Sequence, residues 1–193
     1  MRNILTNRAA REHTCRYLYR PKHDMLISPR KGNKIMKITD YIRSELSPSE
    51  QKIALDFADF MENQGLEFEK DEGYWKDKIY YIIKFQDECI CFIAIKDPDE
   101  PGNNWTVWSD DMDSISLKDY PIEEKLREVA WSHADGCGNC GSCGGGKPKV
   151  IFGKDFPKVC ECTFRIDNPN AEDLQFMKKM VEIRKNEILS HKK

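Results

Sequence analysis

Residues Glu88 to Lys96 read Glu-Cys-Ile-Cys-Phe-Ile-Ala-Ile-Lys, and this run constrains the fold more than any other part of the chain. A strand sends successive side chains to opposite faces, so a half-buried strand alternates apolar and polar residues. Here both alternate sets are apolar: Cys89, Cys91, Ile93 and Ile95 form one, and Ile90, Phe92 and Ala94 the other. Such a strand is central in its sheet and covered on both faces. The run Lys78 to Phe85 precedes it across the short connector Gln86 and Asp87, which predicts a β-hairpin. Cys89 and Cys91 are expected to pack as small hydrophobes.

Helix signals flank this pair. A short helix is expected near Ile38 to Leu46. Ser47, Pro48 and Glu50 then form a capping box that opens a second helix, with Ile53, Phe57, Phe60, Met61 and Gln64 facing inward and Gly65 as its left-handed end. Leu66 and Phe68 alternate as a strand, Asp97 to Asn104 is a loop, and Trp105 to Ser109 adds another strand. Asp110, Asp111 and Asp113 lack the spacing of a calcium loop and read as a solvated turn. Pro121 opens a helix that ends near His133. Cys160, Cys162, Phe164 and Ile166 line one face of a strand, and Asn168-Pro169 is expected to cap a last helix with Leu174, Met177, Val181 and Ile188 inward. Together these elements predict a two-layer α+β fold, mostly antiparallel, with helices packed on one face.

The chemistry concentrates in Asp135-Gly-Cys137-Gly-Asn-Cys140-Gly-Ser-Cys143-Gly-Gly-Gly146, within a glycine loop expected over 133–148. Two-residue spacers let adjacent thiolates converge on one ion, as in zinc knuckles and iron–sulfur loops. Glycine permits the curl, and nearby backbone N–H groups favour thiolate over thiol. The expected ligands are Cys137, Cys140, Cys143 and Cys160, with Cys162 and His133 as alternates for the fourth place. Zinc leads, with iron or an Fe–S cluster as the alternative. The ferredoxin continuation to a fourth Cys and Pro is missing, and the motif does not sit between a strand and a helix start as a thioredoxin pair does. Lys147 is followed by Pro148, which excludes a phosphate loop. Trp75, Trp105, Trp108 and Trp131 read as core, or else as the walls of a small-molecule cleft.

Trp105-Thr-Val-Trp-Ser-Asp-Asp111 and the Cys-Gly-Asn-Cys-Gly-Ser-Cys loop resemble a group of clostridial proteins from which no activity carries over. The stretch Thr163 to Arg184, with its strand, acid-Pro turn and basic-ended helix, is similar to the end of the YdhG-like family. That resemblance implies a compact α+β domain and, from members that act as frataxin-like iron chaperones, an affinity for metal. The cysteine loop departs from the family, so no functional residue is transferred.

Length and charge set the remaining bounds. A chain of 193 residues with 39% apolar content supports one domain, here 36–193. Residues 1–36 hold nine Lys/Arg against two Asp/Glu, and the rest holds 22 against 31. The first 35 residues read as a disordered basic arm or as an upstream start codon, and an acidic remainder argues against nucleic acid as partner. With no apolar span or secretory signal, a cytoplasmic protein with reduced thiols and no membrane partner is expected. The leading reading is a non-catalytic metal-binding protein with an unspecified protein or small-molecule partner. A thiol oxidoreductase using Cys137 and Cys140 is the enzymatic alternative, and a small-molecule sensing domain the third.

Overall fold

The computed structural model describes residues 36–72, 75–138 and 145–191. The basic arm, Cys140 and Cys143 lie outside the described residues.

Two helices open the fold, α1 (Ile38–Glu45) and α2 (Pro48–Asn63). The Ser47 N–H donates to the Glu50 carboxylate at 2.9 Å, Pro48 occupies the first turn, and Gly65 takes φ +74° just beyond the end. Phe57 and Met61 are buried as expected. Ala54 and Ala58 complete the buried stripe, while Ile53 and Phe60 are only partly covered. Gln64 receives the Lys185 ammonium on its backbone carbonyl at 2.7 Å and so ties α2 to the last helix.

The strands are β1 (Glu67–Lys70), β2 (Ile79–Phe85), β3 (Glu88–Ile95), β4 (Trp105–Ser109), β5 (Ala134–Gly136), β6 (Lys147–Ile151) and β7 (Lys154–Asp167). The sheet order is β1-β2-β3-β4-β7-β5, with β6 also on β7, and every pairing is antiparallel. Gln86 and Asp87 both adopt positive φ, the two-residue hairpin turn whose twist matches the strands it joins. Phe152 and Gly153 do the same between β6 and β7. The helices α3 (Ser114–Lys118), α4 (Glu124–Ser132) and α5 (Ala171–His191) complete a two-layer α+β fold.

Two differences from the sequence reading have local causes. The last helix is capped by Asn170 rather than by Asn168-Pro169: the Asn170 side chain accepts from the Glu172 N–H at 2.7 Å, and Asp173 accepts from the Asn170 N–H at 2.8 Å. Asn168 instead accepts the Asn104 N–H at 2.6 Å and holds the 97–104 loop. The glycine loop is also shorter than expected, because β5 and β6 take up both of its ends.

The core divides between the sheet's two faces. Ile93, Val107, Phe164 and Ile166 meet all the buried apolar helix residues on one face, where Phe164 and Phe176 pack edge to face at 5.0 Å. Trp75, Tyr80, Phe92, Ala94, Trp108, Cys160 and Cys162 form the second cluster, so Cys160 and Cys162 do not share the face of Phe164 and Ile166 as the sequence reading expected: the alternation of β7 breaks between them, where its pairing with β5 is irregular. Among the described residues no helix is long and apolar enough to cross a membrane.

Burial opposes ionisation of Glu50, but hydrogen bonds from Ser47 and Asn104 and the Lys96 charge outweigh it and hold the carboxyl below its ordinary 4.5. Its stabilisation is therefore complete above pH 4.5 and lost as pH falls through the lowered value. Glu50→Gln is expected to cost on the order of 0.5 kcal/mol at neutral pH. In urea titrations that gap should close as the pH falls below 4.5 and through the lowered value.

Candidate metal centre

The cysteine loop is a crossover. Gly136 of β5 and Lys147 of β6 are both in register with Val159 of β7. A strand residue has one partner on each edge, so β5 and β6 flank β7 on opposite sides, and residues 137–146 carry the chain from one edge to the other. The Cys137 N–H donates to the Lys158 carbonyl at 3.0 Å and fixes the start. At the far end Gly146 has no room for a side chain: a Cβ there would run into Cys137 Cβ and come within 2.8 Å of Lys158 Cγ and 2.9 Å of the Val159 carbonyl. At Gly146 the requirement is clearance over β7, which the sequence reading of the glycines as aids to thiolate formation does not contain.

The crossover begins on the second face. Cys137 is partly buried against the cluster that contains Cys160 and Cys162, both buried on β7 just beyond Val159. The structure therefore brings three of the expected ligand residues into one cluster. Cys89, read from sequence as packing alone, joins the same face, whereas Cys91 lies in the helix-side core. A bulge between Ile83 and Lys84 pairs Cys91 with Ile83 and Cys89 with Lys84, leaving Ile90 as the extra residue and reversing the alternation.

His133 is placed elsewhere. It caps the C-terminus of α4, and its Nε2 lies 2.8 Å from the Asp173 carboxylate of α5. Its imidazole is thus engaged with the helix layer while the thiols gather on the other face of the sheet. The acidic triple is likewise divided. Asp110 pairs with Arg184 at 2.7 Å, Asp111 with the buried Lys149, and Asp113 caps α3 by accepting the Ser116 N–H at 2.8 Å. Asp111 and Asp113 are exposed as expected of a solvated turn, but Asp110 and Asp111 also make tertiary ties that the sequence reading did not contain. Trp75, Trp105 and Trp108 are buried, and the Trp131 indole N–H donates to the Ile151 carbonyl at 2.7 Å.

Burial sets the resting state of the thiols. It pushes Cys162 well above the ordinary thiol range, and neighbouring Cys160, Asp135 and Asp110 add to the effect. Cys89 is raised by burial, then by Asp110 and Cys91, against the smaller pull of Arg184 and Lys84. These are neutral thiols unless a cation comes to them, since a bound metal deprotonates its thiol ligands outright. Among the described residues no three His, Cys, Asp or Glu side chains form a ready-made metal group. Comparison with family models finds no match, and comparisons with curated proteins and with solved structures find none of significance.

Gly146→Ala is expected to cost about 1–3 kcal/mol, because the backbone of β7 and Cys137 must shift to admit the methyl group. Thermal unfolding should show the loss, with faster hydrogen exchange at the Cys137 amide. A Cβ on Gly138 would meet nothing within 4 Å, so Gly138→Ala should leave both measurements near wild type.

Proposed function

We propose that the protein is a non-catalytic metal-binding protein in which Cys137, Cys140, Cys143 and Cys160 hold a zinc ion, with Cys162 as the substitute for Cys160. The observation that carries this reading is that the loop's first thiol, Cys137, packs against the same cluster that contains Cys160 and Cys162, beside the point where both ends of the loop pair with Val159. Soft thiolates favour zinc or an iron–sulfur centre over calcium or magnesium, which take oxygen ligands. Three ligands from a glycine-rich loop and one from a rigid strand would tie the crossover to the sheet.

An oxidoreductase needs an ionised attacking thiol. Burial works against ionisation at Cys89 and Cys162, which makes these two poor attacking thiols and leaves Cys137 and Cys140 as the pair an oxidoreductase would use.

Elemental analysis of untagged protein purified without added metal is expected to give about one zinc per chain. Cys140→Ser should lose the ion, Cys160→Ser should weaken it strongly, and Cys160→Ser with Cys162→Ser should abolish it. Brown protein with iron and acid-labile sulfide would replace zinc by a cluster in the same ligand set. Metal-free protein whose eight thiols all titrate after denaturation under anaerobic conditions would overturn the proposal.

A further inference from the structure

A β-bulge turns Cys89 toward the thiol face. Ile90 is the extra residue in the pairing of β3 with β2, and a bulge of this kind re-aims the side chain beside it. Without it Cys89 would follow Cys91 into the helix-side core; with it Cys89 packs against the cluster that contains Cys162. The backbone also sets these two cysteines level with each other. Cys91 pairs with Ser109, and the Asp110 N–H donates to the Ile90 carbonyl at 3.2 Å, so β3 and the chain leaving β4 keep their register as far as Ile90. On the other edge of that chain the Phe164 N–H donates to the Ser109 hydroxyl at 3.0 Å, and the Met112 N–H to the Thr163 hydroxyl at 2.9 Å. One residue further along on each side come Cys89 and Cys162. They stand two strand spacings of about 4.8 Å apart. The side chains of the segment between them are committed elsewhere: Asp110 to Arg184, Asp111 to Lys149, and Met112 to the helix-side core.

We propose that Cys89 and Cys162 form a second site, separate from the glycine loop, that holds Cu(I) between two thiolates. A bond of about 2.3 Å from each sulfur to a shared ion adds to the reach of the two side chains and closes the gap. Two thiolates leave zinc two ligands short of its tetrahedron, and calcium and magnesium take oxygen ligands, whereas Cu(I) is selected by soft sulfur and is satisfied by two such ligands in line. Cys89 is only partly covered and gives an ion its way in to Cys162, which is buried. Binding forms two Cu–S bonds and breaks two S–H bonds; both protons pass to solvent and the copper stays Cu(I). Burial opposes the Cys89 thiolate, and the Arg184 guanidinium, which donates to the Cys89 carbonyl at 3.2 Å, works the other way. The site uses no loop cysteine, and it stands whether or not the loop holds zinc.

The test uses the full chain with Cys137, Cys140 and Cys143 replaced by Ser, so that the loop does not compete, titrated anaerobically with Cu(I) against a chromogenic chelator. About one Cu(I) per chain is expected to bind, with two sulfur neighbours in X-ray absorption at the copper edge. Adding Cys89→Ser or Cys162→Ser should release the ion, whereas Cys91→Ser, on the helix side, should keep it. Melting curves establish that each variant is folded, and where Cys162→Ser is not, the Cys89 variant decides. Undiminished binding after Cys89→Ser overturns the proposal. Absence of binding in the starting chain does so too, as does loss of the ion on Cys160→Ser, which would place it between the two thiols of β7. Zinc in the chain with its loop intact is measured separately and should be unaffected by Cys89→Ser, so failure of one site is distinguishable from failure of the other.

Discussion

The structure depends on β7. Fourteen residues long, it pairs with β6 along its first half, with β4 along its end, and with β5 on the opposite edge. It supplies both clusters: Val159, Phe164 and Ile166 face the helices, while Cys160 and Cys162 face the other way. Both described ends of the glycine loop pair at Val159, so the position of Cys137 is referred to this one strand. Residues on a paired strand are held by hydrogen bonds on both edges and by packing on both faces, the rigidity on which the proposed metal site would draw.

Two cations fasten the 110–113 segment, Lys149 to β7 and Arg184 to the last helix and β3. The Lys149 ammonium is buried, and its protons go to Asp111, to the Met112 carbonyl at 2.7 Å and to the Thr163 hydroxyl of β7 at 2.8 Å. Arg184 of α5 reaches Asp110 at 2.7 Å, Glu187 at 3.0 Å and the Cys89 carbonyl at 3.2 Å. A buried charge costs several kcal/mol to desolvate and is tolerated only when its hydrogen-bonding capacity is filled. Lys149 meets that condition with three acceptors for its three protons, while Arg184, only partly buried, places three of its five. They gain geometry more than stability, because they fix where the 110–113 segment leaves β4 and how α5 lies across the sheet.

Much of this was legible in the residues. The two apolar sets of Glu88 to Lys96 announced a strand buried on both faces, and Ser47-Pro48-x-Glu50 announced the start of α2, because each signal is local and its cause lies within a few residues. The short strands β5 and β6 were not legible. Ala134-Asp-Gly136 has no apolar alternation, and Lys147-Pro148-Lys149 reads as loop; both become strands because β7 offers them hydrogen-bonding edges. The division of the acidic triple escaped for the same reason, since Lys149 and Arg184 are distant in sequence. The sequence did mark Cys137, Cys160 and Cys162 as candidates to converge. It carried no sign that Cys89 would join them, because that outcome turns on one extra residue, Ile90, in the pairing of β3 with β2.

The glycines and cysteines of the crossover answer different physical demands. Gly146 is excluded from carrying a side chain by Cys137, Lys158 and the Val159 carbonyl, a clearance that holds whether or not an ion is bound. Cys160 and Cys162 are set by the break in the alternation of β7 before Phe164 and by the aromatic surroundings of the second face. Those surroundings keep a buried thiol neutral and therefore a poor nucleophile. A cation alters the balance, because attraction between a divalent ion and a thiolate grows as the dielectric constant falls, and the burial that opposes ionisation of a lone thiol strengthens a metal–thiolate pair. The same apolar face that opposes ionisation of Cys162 as a free thiol would, in the proposed site, favour a soft metal as its partner.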